Sequence, residues 1–574
     1  MKRFEKKVVR QPRGPMIMSA LGQFKADLVL KNANVLNVFT KEFMPRDVAI
    51  NGDTIIGIGE YQGALEYDFS GKYIVPGFID AHVHIESSML VPQAFAREVV
   101  RRGTTTLIAD PHEIANVCGE PGIQFMLDAA EKSPVNLYYM MPSCVPAGDF
   151  DTSGAILDAE ALTKYVKHPA VLGLGEVMNS TGIMRCDSDL YRKLALYHGK
   201  MIDGHAPMMY GKMLQTYRLA GVMTDHESTS GEEAAEKLRA GLAVLIREGS
   251  GARNLDSLIQ ILIDGRMRTE RVAFCTDDKH VDDIRREGHI DHHIRRSIEL
   301  GLDPVTAYLM ASWYPAQIYG LRHLGAVAAG YQADLVVLNN LYDVKPEMVL
   351  YKGTVVRSIL EKPLEVQIPP AVCNTVHAAP VKRCDLRLKL TKDVVPVIVP
   401  VPGQIMTKRL DERVHSRNGY FIPGSRHQKV AVIERHHASG NVGLGIVRGF
   451  IKSGAIAATV GHDAHNMIVI GTNDADMLVA IQAMSESGGG YVIVKEQKIV
   501  AGIELEIAGL MSTHSADELC RQLALFSKAA QEIGIPQDMD PYQTLSFLPL
   551  PVLPELRVTD KGLLDAALGI FLSY

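Results

Sequence analysis

The chain has 574 residues, 47% of them hydrophobic and 22% charged, a globular balance that excludes wholesale disorder, a collagen-like fibre and a coiled coil. The length calls for roughly two to four domains, fewer if one is a barrel of ~250 residues. Lys plus Arg is 60 and Asp plus Glu is 66, so the net charge is -6, and no basic excess points to nucleic acid or a membrane surface.

The N-terminus, MKRFEKKVVRQPRGP, is basic but lacks the apolar stretch and small-residue cleavage site of a leader. No uncharged apolar run reaches the ~18 residues of a membrane span. Residues 1–24 therefore read as a mobile arm on a cytoplasmic protein. The seven cysteines, at 118, 144, 186, 275, 373, 384 and 520, are odd in number and form no CxxC, as expected of reduced thiols in the cytosol.

Residues 25–72 read as short strands with turns. ADLVLKNANVLNVF is expected as a strand pair, and DVAINGDTIIGIG as a hairpin turning at Asn51-Gly52-Asp53. Residues 73–321 alternate apolar runs with helical stretches. The strand candidates are YIVPGFIDAH, GTTTLIAD, VNLYYMMPS, AVLGLGEV, MIDGHAP, GVMTDHE, LAVLIREGS and RVAFCTDD. Eight continuous apolar runs fit buried parallel strands, and the spacing predicts an α/β fold with a closed (β/α)8, TIM-like barrel. An open doubly wound sheet is the alternative, but no GxGxxG follows the first strand.

Segment 322–370 resembles 25–72 in texture, which suggests a composite β-sandwich domain from both flanks of the barrel. Residues 371–574 read as an additional C-terminal α+β domain. It opens on a Pro-rich stretch, continues with strand-like KVAVIER and helix-like GIVRGFIKSGA, and contains a hairpin in GGGYVIVKEQKIVAGIELEIAG.

Chemistry concentrates at the barrel strand ends. His82 and His84 stand at i and i+2 and so share a strand face. Strand four ends in Glu176, strand five in His205, strand six in His226 and strand eight in Asp277. A barrel brings these ends to one mouth. Four histidines and two carboxylates exceed one tetrahedral ion and suit two, with Glu176 between them; a set without thiolate admits Mn, Fe or Zn. Two such ions lower the pKa of a shared water from 15.7 to ~7 or below, and Asp277 is the base placed to take its remaining proton and return it to a leaving nitrogen. Cys275 reads as core. At strand two, Asp110, His112 and Glu113 are candidates for substrate contact or proton relay, against a plain turn with Glu113 favourably placed in a first helical turn.

Other features are open. His462, Asp463, His465 and Asn466 can bind a further ion, cover the active site or hold a turn, and His436-His437 can supply one residue to the first option. The segment with His289, His292 and His293 reads as a solvated helix or rim loop, with a metal clip between 289 and 293 as the alternative. Trp313 reads as core, and Gly488-Gly489-Gly490 as a turn.

PGFIDAHVHIE resembles the first-strand motif of the amidohydrolase superfamily, and ASWYPAQIYGLRHLGAVAAGYQADLVVLN its closing segment. IDAHVHIESSML, IADPHEIANVCG, LGLGEVMN, IDGHAP, FCTDDKH and VGHDAHNMIVIG are similar to the bacterial adenine deaminase family within it. The resemblance implies hydrolysis of adenine to hypoxanthine and ammonia in purine salvage, with two divalent ions, Mn or Fe foremost and Zn as an alternative. It carries His82, His84, Glu176, His205, His226 and Asp277 over as ligands. Hydantoinase-type relatives place a carboxylated lysine on strand four, where this chain has Glu176. In the mechanism so implied, a hydroxide attacks C6, Asp277 receives its proton, and His112 or Glu113 protonates a ring nitrogen. The expected partner is the small-molecule substrate, with no nucleic acid or membrane, in a homo-oligomer taken as a dimer. Alternatives are another cyclic-amide or aminopurine hydrolase, or a non-catalytic metal-binding protein.

Overall fold

The computed structural model describes residues 13–402 and 404–574. At its centre the apolar runs become eight parallel strands: β1 (Phe78–Val83), β2 (Thr104–Ala109), β3 (Asn136–Met141), β4 (Val171–Val177), β5 (Met201–Gly204), β6 (Thr224–Asp225), β7 (Ala243–Arg247) and β8 (Val272–Cys275). Almost every residue in them is buried, which is why the runs show no alternation. Neighbours pair in parallel from β1 to β5 and from β6 to β8.

Two junctions complete the ring. Between β5 and β6, the Met223 N–H donates to Ile202 O at 2.9 Å and the Gly204 N–H to Thr224 Oγ1 at 3.1 Å. Between β8 and β1, the Asp277 N–H donates to His82 O at 3.0 Å and the His84 N–H to Asp277 O at 3.1 Å. The product is a parallel, TIM-like barrel. Fully buried Asp80 reinforces the second junction: it accepts the Thr276 N–H at 3.0 Å and the Thr276 hydroxyl at 2.5 Å, with His289 Nε2 3.1 Å away.

A second sheet takes Ala26–Asn37, Glu42–Asn51, Thr54–Gly59, Gly63–Asp68 and Tyr73–Pro76 from before the barrel, and Leu335–Leu338, Pro346–Tyr351 and Thr354–Val355 from after it. ADLVLKNANVLNVF is one long strand and not a pair, bent by an irregularity between Leu30 and Ala33 where Asn32 has φ 59°. YIVPGFIDAH divides: its first half joins this sheet and its second half is β1. Gly77 stands at the division, where a Cβ would come within 2.1 Å of Thr105 Oγ1. The turn at Gly52-Asp53 is as read.

Of the expected arm, residues 1–12 lie outside the described residues. Residues 13–24 are not a loose arm throughout: Arg13–Ala20 is a helix. Met16 and Ala20 pack against the sheet, and the Tyr61 hydroxyl donates to Ala20 O at 3.2 Å.

A third, eight-stranded sheet occupies the C-terminal region, with the helix Asp474–Ser487 laid on it through Met477, Ala480, Ile481 and Met484. GIVRGFIKSGA is not helical. Val442–Arg448 is a strand antiparallel to His427–Ile433, since glycines at 443, 445 and 449 disfavour a helix and the sheet supplies the partner. The hairpin of Gly490–Lys495 and Lys498–Glu504 is as read. Barrel and C-terminal region share one hydrophobic cluster, and the Ser512 N–H donates to Met89 O at 2.8 Å.

His289 and His293 are not solvated; both are fully buried. His293 turns its ring nitrogens to His289 O and Cys275 O, at 3.1 and 2.8 Å. Many of the charged neighbours that suggested a solvated segment belong to the preceding helix, Val281–Glu287, and Asp291 is itself buried, accepting the His289 N–H at 2.6 Å. All seven cysteines are free. Among the described residues, no helix is long and apolar enough to cross a membrane.

Replacing Asp80 with Ala strands the Thr276 N–H and hydroxyl and leaves His289 without its carboxylate. We expect a loss of about 3–5 kcal/mol, read as a lower guanidinium midpoint; an unchanged midpoint removes Asp80 from barrel closure.

Candidate active site

Glu176, 2% exposed at the end of β4, is the centre of the barrel mouth. Oε1 lies 3.1 Å from His84 Nε2, 3.7 Å from His82 Nε2 and 3.6 Å from His112 Nδ1. Oε2 lies 2.8 Å from His205 Nδ1 and 3.4 Å from His226 Nε2. Each oxygen thus faces its own set of imidazoles. Gly175 permits this placement: a Cβ there would sit 2.1 Å from Asp110 Oδ2, the atom that accepts the Glu176 N–H at 2.9 Å. Burial raises the carboxyl's pKa, but His226, His205 and His84 overcome it and hold the group well below the usual carboxylate range.

The donor set is of the kind that holds divalent cations. His82 and His84 turn Nε2 atoms toward each other at 3.2 Å, with Asp277 Oδ1 3.5 and 3.2 Å from them. Ligands ~2.1 Å from one ion lie about 3.0 Å apart at octahedral angles and about 3.4 Å at tetrahedral ones. His84 Nδ1 is 3.0 Å from Asp110 O; a carbonyl only accepts, so Nδ1 carries a proton and Nε2 is the nitrogen turned toward the candidate ligands. His82 stacks on His226 with centroids 4.1 Å apart. His82, His226 and Asp277 form one potential ligand group, and Glu176, His205 and His226 another.

Asp277 adopts φ 57°, left-handed for a non-glycine residue. Its Oδ2 accepts Arg247 Nη1 at 3.0 Å. Arg247, from β7, also grips Glu227 through Nη1 and, at 2.9 Å, through Nη2. Sequence reasoning missed both residues. Glu227 Oε1 stands 3.6 Å from His205 Nδ1 and 3.5 Å from His226 Nε2. A usable signal was the charged end of LAVLIREGS, an arginine inside an otherwise apolar barrel strand. Asp225 orders the loops after β5 and β6, accepting the Ala206 and Ser228 N–H groups at 2.9 and 3.1 Å and Lys237 Nζ at 2.8 Å. Burial opposes its ionisation, but Lys237 brings its pKa down to about 2.

The strand-two cluster divides its tasks. Asp110 is turned back on β4 and does not line the cavity. His112 and Glu113 do line it. His112 sits between carboxylates, Nδ1 3.4 Å from Asp110 Oδ1 and Nε2 3.5 Å from Glu113 Oε1. Glu113 Oε1 is 2.5 Å from His462 Nδ1, and its Oε2 is bonded by His465 Nε2. Despite burial, these histidines and His112 keep Glu113 well below the usual carboxylate range. Burial drives Asp463 up to about 6; one of its oxygens is 3.9 Å from His112 Nε2 and the other has no partner. Asn466 faces the fold instead, donating to Thr152 O at 2.8 Å and accepting the Arg435 N–H at 3.3 Å. His436 and His437 do not share a cation, since each Nε2 meets a different carbonyl, Ala464 O and Ser153 O.

These groups surround a narrow cavity, walled on its apolar side by Ile405, Phe547, Leu550 and Leu553. The C-terminal region therefore covers the barrel mouth. An active-site cover was one of the readings open for His462, Asp463, His465 and Asn466, and His462 and Asp463 do line the cavity; the apolar wall carried no such sign.

Residues 73–356 match the amidohydrolase family and residues 404–568 the adenine deaminase C-terminal domain. Barrel, strand-end histidines and bridging-type carboxylate together define a hydrolase of the amidohydrolase class. Three similar proteins refine this. An adenine deaminase of Clostridium acetobutylicum is 47% identical, covering 96% of this chain and 98% of its own. One of Desulfitobacterium hafniense is 43% identical over 97% and 98%, and adenine deaminase 2 of Carboxydothermus hydrogenoformans 42% identical over the same shares. The chain belongs to the adenine deaminase family.

Replacing Arg247 with Met leaves Glu227 and Asp277 buried with no cation between them. A loss of about 3–5 kcal/mol is expected, and Lys restores only part because one ammonium cannot span both carboxylates. Thermal unfolding of chelator-treated protein checks this; an R247M curve that overlays the wild-type curve rejects it.

Proposed function

We propose that this protein hydrolyses adenine to hypoxanthine and ammonia, as an aminohydrolase of purine salvage in the cytoplasm. The observation that carries the reading is the two-sided Glu176 carboxylate, with separate histidine sets on its two oxygens, in a chain so similar to named adenine deaminases. His82, His84, Glu176, His205, His226 and Asp277 would hold two divalent ions, Mn or Fe in preference to Zn. When bound, such ions supply Lewis-acid activation of water.

The chain's own residues do the rest. Phe547, Leu550 and Leu553 offer apolar surface to the purine. Asp277 takes the proton of the water that adds to C6. His112, with both ring nitrogens facing carboxylates, has the surroundings of an imidazolium and donates to a ring nitrogen, so that charge does not build up on the base. Glu113 lies beside it as the ionised partner. Asp277 then returns its proton to the amine, which leaves as ammonia while C6 keeps the oxygen; the second proton of the added water leaves that oxygen as the C6 carbonyl forms and balances the one His112 gave, which restores the imidazolium. The same reading divides the chain into a composite domain (25–72 and 322–370), the barrel (73–321) and the C-terminal domain (371–574), and takes the assembly as a homodimer.

Ammonia release from adenine, adenosine, guanine, cytosine and hydantoin by Mn-loaded protein tests the substrate. Turnover of adenine is expected; hydantoin opening without it replaces the reading by a cyclic-amide hydrolase. Asn tolerates left-handed backbone, so Asp277→Asn is a fair probe. It should lower kcat by roughly 10²–10⁴-fold while metal analysis shows much of the metal retained. Near-normal turnover would take the proton-transfer role from Asp277.

A further inference from the structure

Glu113 comes from the barrel, yet its strongest partners lie 349 and 352 residues further along the chain. Its carboxylate is 2% exposed. The next N–H of its own helix, from Ile114, goes to Glu86 Oε1 at 3.1 Å. Without the two C-terminal histidines, His112 at 3.5 Å would be its nearest ion-pair partner.

The histidines are themselves fixed. His465 Nδ1 accepts the Gly461 N–H at 3.3 Å, so its ring proton is on Nε2, pointed at Glu113 Oε2. Buried Arg435 bonds the carbonyl of His465 and, at 3.0 Å, that of Ala508, which anchors the loop. His462 stacks on Phe547 with centroids 4.3 Å apart and planes 13° from parallel, aiming Nδ1 at Glu113 Oε1. Glu113 and His462, with Asp278, Gln543 and Phe547, line both the active-site cavity and a smaller one that also touches Glu86, Tyr491 and Tyr542.

We propose that His462 and His465 are positioning residues that hold the Glu113 carboxylate against His112 at the cavity wall, so that the C-terminal region is part of the catalytic apparatus. The inference rests on the reading of His112 and Glu113 as the proton-donating side of adenine hydrolysis. Two donors on two carboxylate oxygens fix both the rotation and the position of the group, and a displacement of ~1 Å in such a group costs on the order of 10²-fold in rate.

The test compares H462L and H465L with H462N and H465Q, in the full-length, metal-loaded protein. Asn places an N–H near Nδ1 and Gln near Nε2, so these two keep the donor. The leucine variants should lose about 100-fold in kcat, with KM for adenine within about threefold of wild type and metal content unchanged. The amide variants should recover most of the loss. Leucine variants that keep wild-type kcat, or amide variants no better than leucine, overturn the proposal. Crystal structures of H462L and H465L give a readout independent of substrate: a Glu113 carboxylate turned away from His112 supports the clamp, and one that stays in place overturns it. Wild-type protein inactive on adenine would instead mark failure of the substrate reading, with those structures still deciding the clamp.

Discussion

The barrel closes through the main chain of the residues that make its mouth reactive. Asp277 receives a hydrogen bond at its carbonyl from His84 and gives one to His82, while holding a left-handed backbone that costs of order 1–3 kcal/mol unless its surroundings over-determine it. The two bonds and the Asp80–Thr276 pair beneath them supply that determination. Shape and chemistry are therefore one constraint. A barrel that failed to close at this junction would separate the Asp277 carboxylate from the His82 and His84 rings it needs beside it.

Around this junction the protein buries many ionisable groups, and it manages them by pairing. Glu176 is surrounded by imidazoles, Glu227 shares Arg247 with Asp277, Asp225 takes Lys237, and Glu113 takes two histidines from the far end of the chain. Isolated charges in such a place would neutralise or unfold the site. In pairs they fix rotamers, and fixed rotamers let a metal or a purine meet a prepared surface and not a mobile one.

The sequence was most legible where structure follows from local pattern. Buried strands announce themselves as apolar runs, and a barrel converts their ends into one place, so His82, His84, Glu176, His205, His226 and Asp277 could be gathered without coordinates. Legibility fell where a residue's meaning depends on a distant partner. GIVRGFIKSGA looked helical because its apolar residues allow that period, but the neighbouring strand decided otherwise. His289 and His293 looked solvated among charges, although the helix turns them to β8 and Asp80. Arg247 and Glu227 have no motif, and their roles arise only when β7 stands beside β8. HDAH was visible as a cluster, but its contact with Glu113 spans more than half the chain.

The split between barrel and cover also bears on how the protein is made. Translation delivers all eight barrel strands well before His462, His465 and the Phe547 segment emerge, and domains generally fold as units with the N-terminal one first. On the ribosome, a nascent barrel exposes its ring of histidines and carboxylates to the surrounding solution. A metal ion reaching the site at that stage would not have to pass the lid of Ile405, Phe547, Leu550 and Leu553, which is complete only once the last third of the polypeptide has emerged.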